Sequence, residues 1–292
     1  MRSIGDLKRA AKAALRGNYG ILIMASMVSS LLTFLGSTLT AALFPGDSVL
    51  AIALSQIFAI ILSLVFSIVT AGYSYMLLKV AREGSCVLGD LFYFFRSHPD
   101  RVIIASTVLA VIDVVATFPA TYYNLAVEPG ASMEAQMEWL TTYSVIFLVT
   151  SILSMLIGIP FAMIYFLLAD NEGMGGIQAV KASARMMKGK IGKYLLLQLS
   201  FFPLMLLSVF TFYIALLWVM PYMQMSAAMF YRDITGELDA PVSGAESYFA
   251  YTMGGSVKTP ELSETPELPE NPELPDTSEQ QKEQKDDYNS EA

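Results

Sequence analysis

The chain runs uncharged for distances that only a few folds can accommodate. No Asp, Glu, Lys or Arg interrupts residues 17–46 (30 residues), 48–78 (31), 139–169 (31) or 194–231 (38), and residues 102–127 (26) are interrupted only by Asp113. A helix of about 20 apolar residues crosses a hydrocarbon layer of about 30 Å. Core helices of water-soluble domains are rarely so long or so uniformly apolar. Only 15% of the 292 residues are charged, against about 25% in soluble domains, and the mean hydropathy is +0.52. These features predict an all-α, polytopic membrane domain over residues 1–235.

The 38-residue stretch would form a helix about 57 Å long, at about 1.5 Å per residue. It is therefore divided, with a tight turn at Phe210-Thr211-Phe212-Tyr213 and kinks at Pro203 and Pro221. Six spans result, at about 21–43, 49–77, 102–122, 143–169, 193–209 and 212–231. All 18 Lys and Arg residues then fall before the first span, in the second and fourth connectors, or after the sixth span. The first, third and fifth connectors have none. By the positive-inside rule, the spans form three hairpins in the cell membrane with both termini cytoplasmic. Five spans would place Arg232 and the tail outside. The first apolar run is too long for a cleaved signal peptide and lacks a cleavage site.

A basic segment precedes each hairpin. In the first, Ser3 and Asp6 form a capping-box pattern. Ile4, Leu7, Ala11 and Ala14 share one helical face, opposite Lys8, Arg9, Lys12 and Arg16, and Gly17 ends the helix. In the fourth connector Ile177, Val180, Ala184 and Met187 have the same spacing, beside Lys181, Arg185 and Lys188, and Gly189 ends it. Such helices can lie in the headgroup layer with Lys and Arg toward anionic lipid. That makes Lys8, Arg9, Lys12, Arg16, Lys181, Arg185 and Lys188 candidate headgroup contacts and the bilayer a partner. Arg9-Ala10 and Leu15-Arg16-Gly17 align with Lys181-Ala182 and Met187-Lys188-Gly189, which suggests a threefold plan. The alternative is that insertion signals alone place basic residues there. In the third connector, Met133, Met137 and Leu140 fit a short external helix, and Tyr122, Tyr123, Trp139 and Tyr143 an aromatic belt.

Asp113 is the one ionisable residue well inside a span. It lies about 16 Å along its helix from Val102, at about 1.5 Å per residue, near mid-bilayer. An acid there is a candidate for proton-linked transport, or it forms an interhelical polar contact with Gln56, Ser154 or Gln198. Catalysis is not expected. His98 and Cys86 are the only residues of their kinds, so neither a zinc site nor a second catalytic imidazole can be built. No phosphate-binding glycine loop is present, and no cofactor is implied. Nucleic-acid binding is not expected either, because the basic residues are scattered in short segments.

Residues 236–292 differ from the rest. Residues 1–232 hold 15 Lys and Arg against 11 Asp and Glu, a net of +4. Residues 233–292 hold 3 Lys against 15 Asp and Glu, a net of −12. Three imperfect hexapeptides, Thr259-Pro-Glu-Leu-Ser-Glu264, Thr265-Pro-Glu-Leu-Pro-Glu270 and Asn271-Pro-Glu-Leu-Pro-Asp276, predict an acidic, disordered cytoplasmic tail. It is a candidate tether for a basic cytoplasmic protein.

Several segments are similar to a bacterial integral-membrane family, domain of unknown function 975. They are Leu7-Lys-Arg-Ala-Ala-Lys-Ala-Ala-Leu-Arg-Gly-Asn-Tyr19, Gly72-Tyr-Ser-Tyr-Met-Leu-Leu78, Ala179-Val-Lys-Ala-Ser-Ala-Arg-Met-Met-Lys-Gly189, Trp218-Val-Met-Pro-Tyr222 and Phe230-Tyr-Arg232. The resemblance covers about residues 1–235 and implies a multi-span protein without catalytic residues to carry over. The turn before the sixth span lacks the glycines of the family pattern. Together these features suggest a non-catalytic membrane scaffold or accessory protein, with transport through Asp113 as the alternative.

Overall fold

The computed structural model describes residues 2–46 and 48–239. Most of the acidic tail lies outside the described residues. Among those described, the chain forms eleven α-helices, three short 3₁₀ turns and no strand. They are α1 (Ile4–Leu15), α2 (Tyr19–Leu43), α3 (Val49–Glu83), α4 (Tyr93–Arg96), α5 (Pro99–Ala126), α6 (Met133–Gly158), α7 (Ile164–Asp170), α8 (Gly176–Met187), α9 (Ile191–Leu199), α10 (Phe202–Phe210) and α11 (Leu216–Ile234). Five segments are long and apolar enough to cross a membrane: Tyr19–Leu43, Val49–Glu83, Pro99–Ala126, Met133–Asp170 and Ile191–Phe210.

Helix α1 forms as its pattern predicts. Ser3 Oγ accepts from the Asp6 amide at 3.1 Å, and Asp6 accepts from the Ser3 amide at 3.2 Å. After α1, Arg16 (φ −62°, ψ 125°) and Gly17 (φ +85°) make a type II turn, closed by the Asn18 amide on Leu15 O at 3.0 Å. Lys188 (φ −57°, ψ 123°) and Gly189 (φ +77°) repeat it after α8, with the Lys190 amide on Met187 O at 2.9 Å. Both glycines occupy the left-handed position that such a turn requires. Leu7, Ala11 and Leu15 are buried, and so are Ala179, Ser183 and Met187, which follow at the same spacing. The first and third basic segments therefore share one fold. The middle segment does not: it is a 3₁₀ turn (Leu88–Phe92) followed by the single-turn α4, and left-handed His98 (φ 53°) stands before α5.

The apolar faces of these segments meet protein. Helix α1 packs on α11, the Leu88–Phe92 turn and α4 on α3, and α8 on α5, α7 and the 3₁₀ turn Ile159–Phe161. Helix α1 is thus seated on the last helix, and the other two segments on helices that precede them in the chain, α8 on α5 as well as α7. This corrects the expectation that the apolar face of α1 lies among lipid headgroups. On α8 Val180 and Met187 are buried as expected, but the rest of the buried strip is shifted. Gly176, Ala179, Ser183 and Met187 face inward, whereas Ile177 is 54% exposed. Small residues let α8 approach α5 closely. A Cβ on Gly176 would stand 2.4 Å from Arg101 O, and one on Gly72 of α3 would stand 1.8 Å from Leu91 O.

The second helices α3, α7 and α11 converge at the centre. Helix α3 packs against both others, and Phe166 of α7 stacks on Tyr231 of α11 with centroids 5.6 Å apart. The core gathers at this end, with Leu78, Ile164, Leu167, Ala228 and Phe230 almost fully buried. The far halves are open. Helix α2 buries only Leu22, Ala25 and Gly36, and α6 only Thr150. Phe34 (65% exposed) and Val115 (69%) face outward. Contiguous apolar surface on this scale belongs against hydrocarbon.

Three boundaries differ from expectation. Met133–Leu140 is not a separate external helix, because α6 runs unbroken from the Ser132 cap. The Trp139 indole then donates to Val127 O at 2.7 Å and stacks on Tyr143. The fourth segment breaks at Pro160, giving a 3₁₀ turn between α6 and α7. The fifth segment, expected as one helix kinked at Pro203, is broken ahead of that proline into α9 and α10; Pro203 lies in the first turn of α10, where its missing N–H leaves no bond unmade. The turn after Phe210 is present without glycine, with Phe212 (φ 50°) and Tyr213 (φ 64°) held left-handed. Helix α11 is less apolar than the five long segments because Gln224, Ser226, Arg232 and Asp233 interrupt it. Its second half, Met225–Asp233, is buried against other helices and needs no continuous apolar coat.

Gly72→Ala or Gly176→Ala should destabilise the domain by about 1–3 kcal/mol through overpacking against backbone, read as a lower melting temperature in detergent. Gly20→Ala, which meets open space, should be neutral or mildly stabilising.

Candidate functional site

At the packed end, charged residues from three central helices form one network. Arg82, in the last turn of α3, donates to Asp170 Oδ1 at 2.6 Å and makes a bidentate pair with Glu237 at 2.9 and 2.7 Å. Arg232 of α11 donates to Glu237 Oε1 at 2.7 Å and to Ala81 O at 2.6 Å. The Tyr231 hydroxyl donates to Asp170 Oδ2 at 2.8 Å. Desolvation opposes ionisation of Glu237, but hydrogen bonds and charge from Arg82 and Arg232 outweigh it and hold the carboxyl below the usual range. Beside this cluster, the buried Asp233 carboxylate accepts from the Arg2 amide at 3.0 and 3.2 Å and from Lys193 at 3.3 Å, and Arg2 Nη2 reaches Leu238 O at 2.6 Å. Sequence reading placed Arg82 and Arg232 on one side of the membrane. It did not find their partners, because Asp170 lies 88 residues from Arg82 and Glu237, which both arginines share, stands at the start of the expected tail.

Where the long helices break, the basic segments supply the missing partners. Ser183 of α8 donates to Pro160 O at 2.8 Å and accepts from the Met163 amide at 3.3 Å. Lys8 of α1 donates to Ser200 O and Oγ, both at 3.0 Å, between α9 and α10, and its ammonium lies 4.1 Å from the Phe201 ring centroid. Burial pushes the Lys8 pKa down. Lys8 therefore serves as a cap on a helix break, which differs from its expected place among headgroups. The other candidate contacts, Arg9, Lys12, Arg16, Lys181, Arg185 and Lys188, are exposed, and Arg9 pairs with Asp6.

Between these two breaks lies a cleft of about 390 Å³. Ile159 and Ala162 form one wall, and Tyr194, Gln198, Phe202 and Met205 the other. Gln198 Nε2 donates to the Tyr194 hydroxyl at 2.7 Å, while Gln198 Oε1 is sheltered and has no partner. No motif marked this pair; only the helix break ahead of Pro203 brings the residues to a wall.

Asp113 is elsewhere. It lies on an exposed face where α5 meets α6, and Ser154 donates to its Oδ1 at 2.6 Å. Ser154 was one of three expected partners. Of the other two, Gln198 faces the cleft, and Asp113 is not among the residues lining it. Cys86 is half-buried in the second connector. Burial, with Asp90 nearby, pushes its thiol up to about 11, so it is not a thiolate at neutral pH. Among the described residues, no three His, Cys, Asp or Glu come together in a group that could hold a metal ion.

The family profile described as protein of unknown function (DUF975) matches residues 1–237. The chain belongs to this family. The matched range spans all eleven helices of the DUF975 domain and ends at Glu237, the residue that closes the ion network. No curated protein and no solved structure matches the chain.

Two outcomes follow for the domain. Ser183→Ala should cost about 1–3 kcal/mol, because it leaves buried backbone groups unpaired, whereas Lys181→Ala on the exposed strip should be nearly neutral; chemical denaturation in micelles reads both. Because the Glu237 pKa is lowered on folding, its contribution is present above the unfolded value of about 4.5 and is lost as pH falls through the folded value. Glu237→Gln should therefore flatten the loss of stability below pH of about 4.5, as measured by melting temperature against pH.

Proposed function

We propose that the protein is a six-span protein of the bacterial cell membrane, with both ends of its membrane domain cytoplasmic, acting without catalysis as a scaffold or accessory protein. One observation carries the even number of spans: Arg2 bonds Asp233 and Leu238. Groups in contact lie on one side of a bilayer, so the two ends of the domain share a side. The connector carrying Glu134 and Glu138 then lies on the other, in keeping with the positive-inside rule. On this reading α11 crosses packed against α1, α2 and α3, with Trp218 and Met220 of its first half facing outward.

The scaffold reading rests on how the charges are used. The network at the packed end pairs Arg82, Arg232 and Lys193 with carboxylates of the same chain. Lys12, Lys181, Arg185 and Lys188 stay exposed for anionic headgroups. Beyond residue 239 the acidic tail supplies charge to recruit a basic protein. Asp113, which transport would require, is bonded to Ser154 on an outer face.

Thiol labelling tests the sidedness. In a Cys86→Ser background, Glu134→Cys should react with an impermeant maleimide added to intact cells, and Arg9→Cys only after permeabilisation. Reaction of both from the same side would overturn the topology. Asp113→Asn should leave proton flux into proteoliposomes unchanged; a marked fall would favour transport.

A further inference from the structure

We propose that the cleft between the Pro160 turn and the Ser200–Phe201 break binds a membrane-dissolved lipid alcohol: a hydrocarbon chain whose hydroxyl pairs with Tyr194 and Gln198. This site is independent of the scaffold reading. Its volume, about 390 Å³, falls within the range of roughly 300–1,000 Å³ typical of small-molecule pockets. The lining is apolar apart from Tyr194 and Gln198, and no charged residue contributes to it. A carboxylate or phosphate would enter without a counter-ion, at a high desolvation cost. A plain hydrocarbon would leave the polar pair incomplete.

Besides the second Gln198 N–H, the pair has one hydroxyl donor and one carbonyl acceptor to spare. Gln198 Nε2 donates to the Tyr194 oxygen. The Tyr194 hydroxyl proton and Gln198 Oε1 are then left over, and Oε1 is screened from solvent. A small rotation of the amide lets one hydroxyl accept from Tyr194 and donate to Gln198. The opposite amide orientation changes only the partners, with the hydroxyl accepting from Nε2 and donating to the Tyr194 oxygen. A single neutral hydroxyl fits both cases.

Access comes from the bilayer. Met155, Leu199 and Phe202 border the cleft and are 58%, 54% and 61% exposed, continuous with the open apolar halves of the helices. The wall is held by the basic segments, with Ser183 fixing the turn at Pro160 and Lys8 fixing the break at Ser200. Irregular backbone at membrane depth is tolerated where it is buried in protein or lines a cavity.

The experiment uses the full chain in nanodiscs with three photoreactive diazirine probes of equal chain length: octadecanol, octadecane and a monoacylglycerol. The octadecanol probe should label peptides 155–162 and 194–205 at least tenfold more than the alkane, and unlabelled octadecanol should compete. Gln198→Leu should abolish that preference. Ala162→Phe, which fills the cleft from the opposite wall, should abolish labelling with the melting temperature retained. Stronger labelling by the monoacylglycerol would identify a glyceride as the natural source of the hydroxyl, and stronger labelling by octadecanol a free alcohol. Equal labelling by alkane and alcohol, or an undiminished preference in Gln198→Leu, would overturn the proposal. Should Gln198→Leu fail to fold, failure of octadecanol to compete in the unmodified chain would overturn it as well.

Discussion

Hydrocarbon offers no water to a broken helix, so every interruption of a membrane helix must be satisfied by the protein itself. This constraint organises the domain. The fourth segment breaks at Pro160 and the fifth at Ser200–Phe201. Each break is completed by one polar side chain from an amphipathic helix: Ser183 from α8, Lys8 from α1. Those helices can deliver the side chains only if their apolar faces dock on the bundle. The type II turns at Gly17 and Gly189 lead the chain from each docked helix into the next, α2 and α9.

The result is a molecule with two unlike halves. At the basic end the elements interlock: α1 lies on α11, the Leu88–Phe92 turn and α4 on α3, and α8 on α5 and α7. The ends of α3, α7 and α11 are joined through Arg82, Asp170, Glu237 and Arg232. At the other end the hairpins contact little beyond themselves and expose Leu, Val and Phe. One half of the domain thus leaves its apolar side chains on the surface, and the other buries them within the protein. The cleft lies where these regimes meet.

Much of this was legible in the sequence. The uncharged stretches located the long helices within a few residues, because exclusion of charge from hydrocarbon is a strong signal. The Ser3–Asp6 cap and the stops at Gly17 and Gly189 follow from local backbone chemistry. The turn after Phe210 was forced by length alone, since 38 residues exceed one crossing. What was not legible is what each face meets. Amphipathicity says that Leu7 and Ala11 avoid water, not whether lipid or α11 covers them. On α8, hydrophobicity favoured Ile177, but close packing selected Gly176 and Ala179, whose value lies in their small size. Lys8 was read by its charge, whereas its role comes from the break it reaches, 192 residues away. Of the candidate partners for Asp113, only the α5–α6 pairing could select Ser154.

The docking of α1 on α11 is the claim on which the packing of the basic end, the capped breaks and the shared sidedness of the two ends all rest. Its most direct measurement is cross-linking of an Arg2→Cys, Asp233→Cys, Cys86→Ser protein in native membranes with a short bifunctional thiol reagent. A docked α1 predicts rapid, near-complete intramolecular cross-linking that persists on dilution. A helix lying loose in the headgroup layer predicts slow, partial reaction no faster than between residues 2 and 134, and that result would contradict the account.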